Sequence, residues 1–336
     1  MDAGLAVGVA LAIGFAVTNG FNDAANSIAA LVATRAATPV QAIVLASIFN
    51  LLGPLLLGAA VANTIGGIVT VPPSDANLVI GVGLAAAVGW NVGSWALGLP
   101  SSSGQALVGG LVGAALAEGG ADAVNWGGVS NGHPVGVFGT LISLGISPPL
   151  GALASLLVIR VVRRVARRAT RQWRAPVRAG QWATAAALAF SHGANDAQKA
   201  IGVVAALLLA AGKTSTLSAP TWAKVACAAA LTAGTALGGW RIIRTVGFGI
   251  YRVQPVEGLA CTAASAAVIF VASVVGAPTS TSQVVASSVV GVGGGRWRWR
   301  HVHWEIVRRM GSAWLITLPC TAALAAAAYG LWTGLA

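Results

Sequence analysis

Apolar residues in this chain do not alternate with polar ones; they come in long continuous runs. Ala42–Ala62, Leu78–Leu99 and Val268–Gly276 with its flanks are examples. Each is close to the roughly 20 residues that carry a helix across a bilayer. A membrane β-barrel would instead show ten-residue segments of alternating character. The pattern predicts an all-α polytopic membrane protein. Two of the runs, 5–34 and 183–211, are interrupted near mid-length by Gly and Asn-Asp. Such interruptions predict broken helices, because backbone freed at that depth must be buried in protein or line a cavity.

Composition agrees with the pattern. Of 336 residues 56% are hydrophobic and 8% charged, against about 25% charged in soluble domains. The first run lacks a basic leader and flows into a polar motif, so it reads as part of the mature protein rather than a signal peptide.

The net charge of +12 raises nucleic acid as a partner, but the position of the charges argues against it. Arg160, Arg163, Arg164, Arg167, Arg168, Arg171, Arg174 and Arg178 form one stretch. Arg241, Arg244 and Arg252 form a second, and Arg296, Arg298, Arg300, Arg308 and Arg309 a third. With the first stretch inside, threading the runs puts the others and Arg35 inside too, as the positive-inside rule requires. Asp75, Glu118, Asp122 and both termini then fall outside. The expected location is the cell membrane, with the lipid bilayer as partner. Cys227, Cys261 and Cys320 are far apart in apolar sequence and read as core.

The chain also repeats itself. Gly20-Phe-Asn-Asp-Ala-Ala-Asn26 matches Gly193-Ala-Asn-Asp-Ala-Gln-Lys199 at an offset of 173. Pro100-Ser-Ser-Ser-Gly-Gln105 matches Pro278-Thr-Ser-Thr-Ser-Gln283 at an offset of 178. In the threading the halves enter from opposite sides, which predicts inverted repeats: 1–159, a basic cytoplasmic linker 160–180, and 181–336. That layout is common among secondary transporters. The two Pro-Ser/Thr elements predict hairpin turns followed by helix N-termini. Helix N-termini offer free N–H groups and partial positive charge, so two of them facing one another would hold an anion.

At these residues the sequence resembles the inorganic phosphate transporter (PiT) family, bacterial low-affinity type. The likeness rests on both Gly-x-Asn-Asp signatures and both Pro-Ser/Thr hairpins. It extends to Trp90-Asn-Val-Gly-Ser-Trp95 and to Trp314–Pro319. The resemblance implies a cation-coupled symporter of phosphate, with its site between the repeats. It implies that Asn22, Asp23, Asn195, Asp196, Ser101, Ser102, Ser103, Thr279, Ser280 and Thr281 line that site. It leaves open sulfate as the anion, a metal–phosphate complex as the cargo, and a homo-oligomer. No cofactor is implied beyond the coupling ion, H+ or Na+.

Intramembrane ionisable groups are costly, on the order of 2.5–3.5 kcal/mol each on insertion scales. Asp23 and Asp196 therefore read as cation-coupling groups. Glu257, just after Pro255, is either a third such group or a partner of its own helix N-terminus. His192 is either a proton carrier or a packed histidine. Gln105 and Gln283 either donate to the anion or pin the hairpins. Asn26 and Lys199 stand at the same position of the two repeats. An ammonium there either pairs with Asp196 three residues earlier or fills a cation site, which favours protons over sodium. An intramembrane hydrolase would need a nucleophile with an oriented base, and adjacent Ser191 and His192 do not face one another on a helix. A divalent anion entering against 100 mV, inside negative, opposes about 4.6 kcal/mol, so an anion channel would leak it outward rather than accumulate it. A symporter fits better.

Overall fold

Several helices begin where the sequence supplies a cap or a proline. The computed structural model describes residues 3–98, 101–130, 133–165, 173–237, 250–251, 253–295 and 299–335. Helix α1 spans Ala3–Ala33, α2 Pro39–Leu56, α3 Ala60–Gly66, α4 Pro73–Ala96 and α5 Ser103–Gly119. A two-stranded hairpin, β1 Gly128–Ser130 with β2 His133–Val135, precedes α6 at Gly136–Val165. Then come α7 Arg174–Ala210, α8 Thr221–Leu237, α9 Pro255–Val274, α10 Thr281–Gly294 and α11 Trp304–Leu335. Thr38 and Gln41 form a reciprocal capping box before α2, with Pro39 in its first turn. Prolines likewise open α4 and α9, where a missing N–H breaks no helix bond.

Among the described residues, seven helical segments are long and apolar enough to cross a membrane: Ala3–Ala33, Pro39–Leu56, Pro73–Ala96, Ser103–Ala123, Gly136–Val165, Pro255–Val274 and Trp304–Gly334. Their outward faces are apolar. Val44, Ile48 and Leu52 on α2, and Ile142, Ile146, Leu150, Leu153, Leu157 and Val161 on α6, are exposed stripes at helical spacing. Polar side chains lie inside, including Asn19, Asn50, Asn91, His192 and Asn195, all without exposed surface. This is the polarity expected in lipid.

The interior is two apolar clusters with a polar layer between them. Helix α1 runs from the first cluster (Leu5 to Ala16) through residues 18–27 into the second (Ile28 to Val32). Helix α7 runs the other way, from Ala185–Ala189 in the second cluster to Ala197–Leu208 in the first. The bodies of α5 and α10 occupy the first and the second cluster respectively. Both helices therefore start at the polar layer and point away from it. Helix contacts come in exchanged pairs: α1 packs on α8 and α2 on α7, α5 on α11 and α10 on α6.

The expected all-α membrane fold and its paired hairpins are present, but the expected broken helices are not. Both α1 and α7 run unbroken through their signatures. The reason is in the glycines. A Cβ on Gly20 would lie 2.2 Å from Leu231 O, and one on Gly193 would lie 2.3 Å from Asn50 O. These positions let two helix backbones touch, so no turn has to unwind, and the polar side chains find partners on other elements. Within the stretch 160–180, α6 continues to Val165 and α7 starts at Arg174. Asp2, Pro100, Arg167, Arg168, Arg171, Arg241, Arg244, Arg252, Arg296 and Arg298 lie outside the described residues.

The packing role of glycine gives a test. Gly20→Ala should lower the stability of the purified protein by about 1–3 kcal/mol, the usual cost of overpacking. Gly14→Ala, where a Cβ would meet nothing within 4 Å, should leave the melting temperature in detergent unchanged or raise it.

Candidate functional site

The site is built at the start of α5 and α10, where each hairpin meets the signature of its own half. Ser102 and Ser280 are the N-caps. Their hydroxyl oxygens accept from Gln105 N at 3.3 Å and from Gln283 N at 3.4 Å. The next residue in each helix turns to an aspartate. Ser103 Oγ donates to Asp23 Oδ2 at 2.8 Å, and Thr281 Oγ1 to Asp196 Oδ2 at 2.9 Å. The repeat match made on sequence thus reappears as the same contact in both halves. Asp23, Asp196 and their hydroxyl partners are all buried.

The two carboxylates are otherwise dressed differently. Asp23 Oδ1 accepts from Asn26 Nδ2 at 2.8 Å and from the Ser282 hydroxyl, which reaches across from the other half. Asp196 Oδ1 is bonded by the Lys199 ammonium, and Lys199 Nζ also donates to Thr279 O at 2.9 Å. His192 Nε2 lies 3.0 Å from Asp196 Oδ2, a close approach without hydrogen-bond alignment. Its Nδ1 lies 3.1 Å from Asn50 Oδ1. Ligand atoms of Asp23, His192 and Asp196 all fall within 4.8 Å of one another, so both aspartates belong to one cluster.

The structure sorts the six hairpin hydroxyls. Ser101 donates to Ser94 at 2.8 Å, while Ser103 and Thr281 serve the aspartates. Ser102 and Ser280 accept at their caps and keep a hydrogen to donate, and Thr279 Oγ1 has no partner among the described residues. Asn22 and Asn195 grip the hairpins through their amide nitrogens. Asn22 Nδ2 donates to Asn91 O at 2.9 Å; Asn195 Nδ2 donates to Ser273 Oγ at 3.1 Å and Ala277 O at 3.2 Å. In both residues the amide oxygen is left without a partner among the described residues, as are Gln105 Oε1 and Gln283 Oε1. Buried polar atoms normally have partners. Here the unpaired ones recur at matched positions of the two halves and surround the hairpin starts.

Glu257 is not grouped with Asp23, His192 and Asp196, and its contacts are those of the capping alternative. Its carboxylate accepts from Gln254 N at 3.0 Å and from Tyr251 at 3.3 Å, and lies 3.7 Å from Arg163. It holds the start of α9. Sequence reasoning missed Asn19, whose side-chain amide lies 2.6 Å from Ser103 Oγ. It also missed Asn50, Asn91, Thr235 and Ser273, which brace the signatures. Thr235 receives a 3.1 Å bond from Asn50 Nδ2. The available signal was an isolated Asn in an apolar run, at 50 and at 91, where a buried amide needs a partner. A cleft of about 480 Å³, lined by Arg35, Arg174 and Arg178, lies apart from the cluster.

Comparison with known proteins bears on this arrangement. The profile of the phosphate transporter family matches residues 19–325. The chain is 38% identical over 96% of its length to a Bacillus subtilis protein named "Probable low-affinity inorganic phosphate transporter", covering 95% of that protein. A Rhizobium meliloti protein of the same name is 37% identical, with 98% of each chain covered. One from Mycobacterium bovis is 39% identical over 97% of this chain and 77% of its own. Among solved structures, "The sodium-dependent phosphate transporter" superposes with a TM-score of 0.88 at 25% identity, covering 99% of this chain and all of that one.

The buried ion pair can be tested by itself. Asp196→Ala leaves the Lys199 ammonium buried without its counter-charge, which should cost about 3–5 kcal/mol. Adding Lys199→Met should recover most of that loss in thermal unfolding. Equal destabilisation by the single and double variants would show that the pair is not what holds this site.

Proposed function

The chain belongs to the phosphate transporter family, and on that premise we propose that it imports inorganic phosphate across the cell membrane in symport with a cation. It is a transporter and not an enzyme. The observation that carries the proposal is the pair of buried helix starts. The N-termini of α5 and α10 meet at the polar layer with Ser102, Ser280 and Thr279 able to donate. Phosphate there gains N–H dipoles and hydroxyl donors. The unpaired oxygens of Asn22 and Asn195 are acceptors, suited to a phosphate hydroxyl or to a cation beside it.

The two halves act as inverted repeats around this site. The opposite running of α1 and α7, and of α5 and α10, supports that reading. The Arg-rich ends face the cytoplasm and both termini face outward, by the positive-inside rule. A seam leads from the cluster toward the end that holds Arg35. It carries the Thr184–Thr262 contact at 2.7 Å and the bond from Gln181 Nε2 to Pro255 O at 2.5 Å. A void of about 10 Å³ between Asn26, Thr262 and Ser265 lies along it. We read this seam as the inner route.

Carboxylates do not attract an anion; they bring a cation to it. Lys199 already neutralises Asp196, so one arriving cation is needed at Asp23. Ser103, Ser282 and the Asn26 amide turn their hydrogens to Asp23 and stabilise its ionised form. A proton can neutralise that carboxylate without any shell of oxygens, whereas sodium would need the hydroxyls and the Asn26 amide to turn their oxygens to it. Sodium is the second reading, favoured by the sodium dependence in the name of the structural relative.

Uptake into proteoliposomes tests the reading. Phosphate should accumulate under an inward pH gradient without sodium, and a protonophore should abolish it. Strict sodium dependence with indifference to pH would replace the proton by sodium. Preference for sulfate would overturn the anion, and a requirement for divalent metal would make a metal–phosphate complex the cargo. Asp23→Asn should end accumulation in a folded protein. Ser102→Ala or Ser280→Ala should weaken phosphate by about 1 kcal/mol, roughly fivefold, and a leucine at either position should abolish uptake. Wild-type affinity in both leucine variants would remove phosphate from this site.

A further inference from the structure

The two aspartates differ in one paired exchange. Where the first half has Asn26, the second has Lys199; where the second hairpin has Ser282, the first has Gly104. These four residues meet in two crossed sets. Asn26 Nδ2 lies 3.1 Å from Ser282 Oγ, and both donate to Asp23 Oδ1. The Lys199 ammonium bonds Asp196 Oδ1, and its neighbour from the opposite hairpin is Gly104. A Cβ on Gly104 would lie 3.2 Å from Lys199 Nζ and 3.6 Å from Cε. The ammonium therefore stands where the counterpart of the Ser282 side chain would be. Gly104 is not needed for its backbone, since it lies in the first turn of α5 and has no positive φ. The second side chain is absent because the first is long.

The oxygens around Nζ resemble those of a monovalent cation site. One is the Asp196 carboxylate oxygen, and another is the Thr279 carbonyl at 2.9 Å. An amide oxygen at 199 and a hydroxyl at 104 would complete a set of four. We propose that this is an alkali-cation site permanently filled by a tethered cation, the Lys199 ammonium, and that Gly104 is the specificity-determining residue that gives it room. The proposal rests on the symport reading. It makes the protein a carrier with one exchangeable cation, at Asp23, and one built-in cation at Asp196. Removing both changes together should open the second site to sodium.

The test uses purified full-length protein in detergent without phosphate, with sodium chloride as the probe and choline chloride as the control. The double variant Lys199→Asn/Gly104→Ser should gain a saturable, sodium-specific rise in melting temperature beyond that of wild type. Adding Asp196→Asn should remove the gain. In proteoliposomes the same double variant should become sodium-stimulated, with a Hill coefficient for sodium one higher than wild type. Gly104→Ser alone should crowd the ammonium and reduce both stability and uptake, so the claim stays testable if the double variant does not fold. A double variant with no added sodium response overturns the proposal, and so does Gly104→Ser with wild-type stability and uptake. The melting measurement needs no transport, so a failure of phosphate symport would appear separately, as a wild-type protein that does not take up phosphate.

Discussion

The hydrogen bond from Ser103 to Asp23, and its counterpart from Thr281 to Asp196, is the contact on which the rest of this structure depends. Each joins the first turn of a hairpin helix to the signature of its own half. Each also buries a carboxylate where water cannot solvate it, and such a charge is tolerated only with partners. The hydroxyls, Asn26, Lys199, His192 and the cross-strap from Ser282 are those partners. Because the strap comes from the opposite hairpin, the two halves cannot separate at this level without exposing Asp23. The polar layer is therefore a joint as well as the candidate site.

The helices around the joint are arranged to let it form. Glycines 20, 193, 53 and 234 bring α1 onto α8 and α2 onto α7 at backbone contact. Glycines 109, 113, 151 and 291 do the same for α5 on α11 and α6 on α10. Close packing through small residues is how helices associate where lipid supplies no hydrophobic drive. With backbones this close, the Asn, Asp and His side chains of α1 and α7 reach Asn50, Asn91, Ser273 and the hairpin starts. Helices α1 and α7 stay continuous through the signatures, and the chemistry is left to side chains and two helix N-termini.

Much of this was legible in the sequence. Apolar runs without alternation identified the class. Two signatures and two Pro-Ser/Thr elements at nearly constant offsets located the parts of the site, and the capping hydroxyls Ser102 and Ser280 sit where that pattern put them. What could not be read was anything decided by a neighbour distant in the chain. Gly20 and Gly193 look like helix breakers until Leu231 O and Asn50 O are seen against them. Glu257 reads from sequence alone as a third membrane acid or a cap, and its bond from Gln254 and its closeness to Arg163 come only from the fold. Gly104 carries no signal at all alone; its meaning appears only when Ser282 and Lys199 are seen to exchange places around the two aspartates.

The central claim is that phosphate is held between the two hairpin N-termini, beside the paired aspartates. An experimental structure of the protein in lipid with phosphate bound tests it most directly. The account predicts tetrahedral density in contact with the hydroxyls of Ser102, Ser280 and Thr279 and with the first N–H groups of α5 and α10. Phosphate density confined to the arginine-lined cleft at Arg35, Arg174 and Arg178, with the hairpin starts unoccupied, would contradict it.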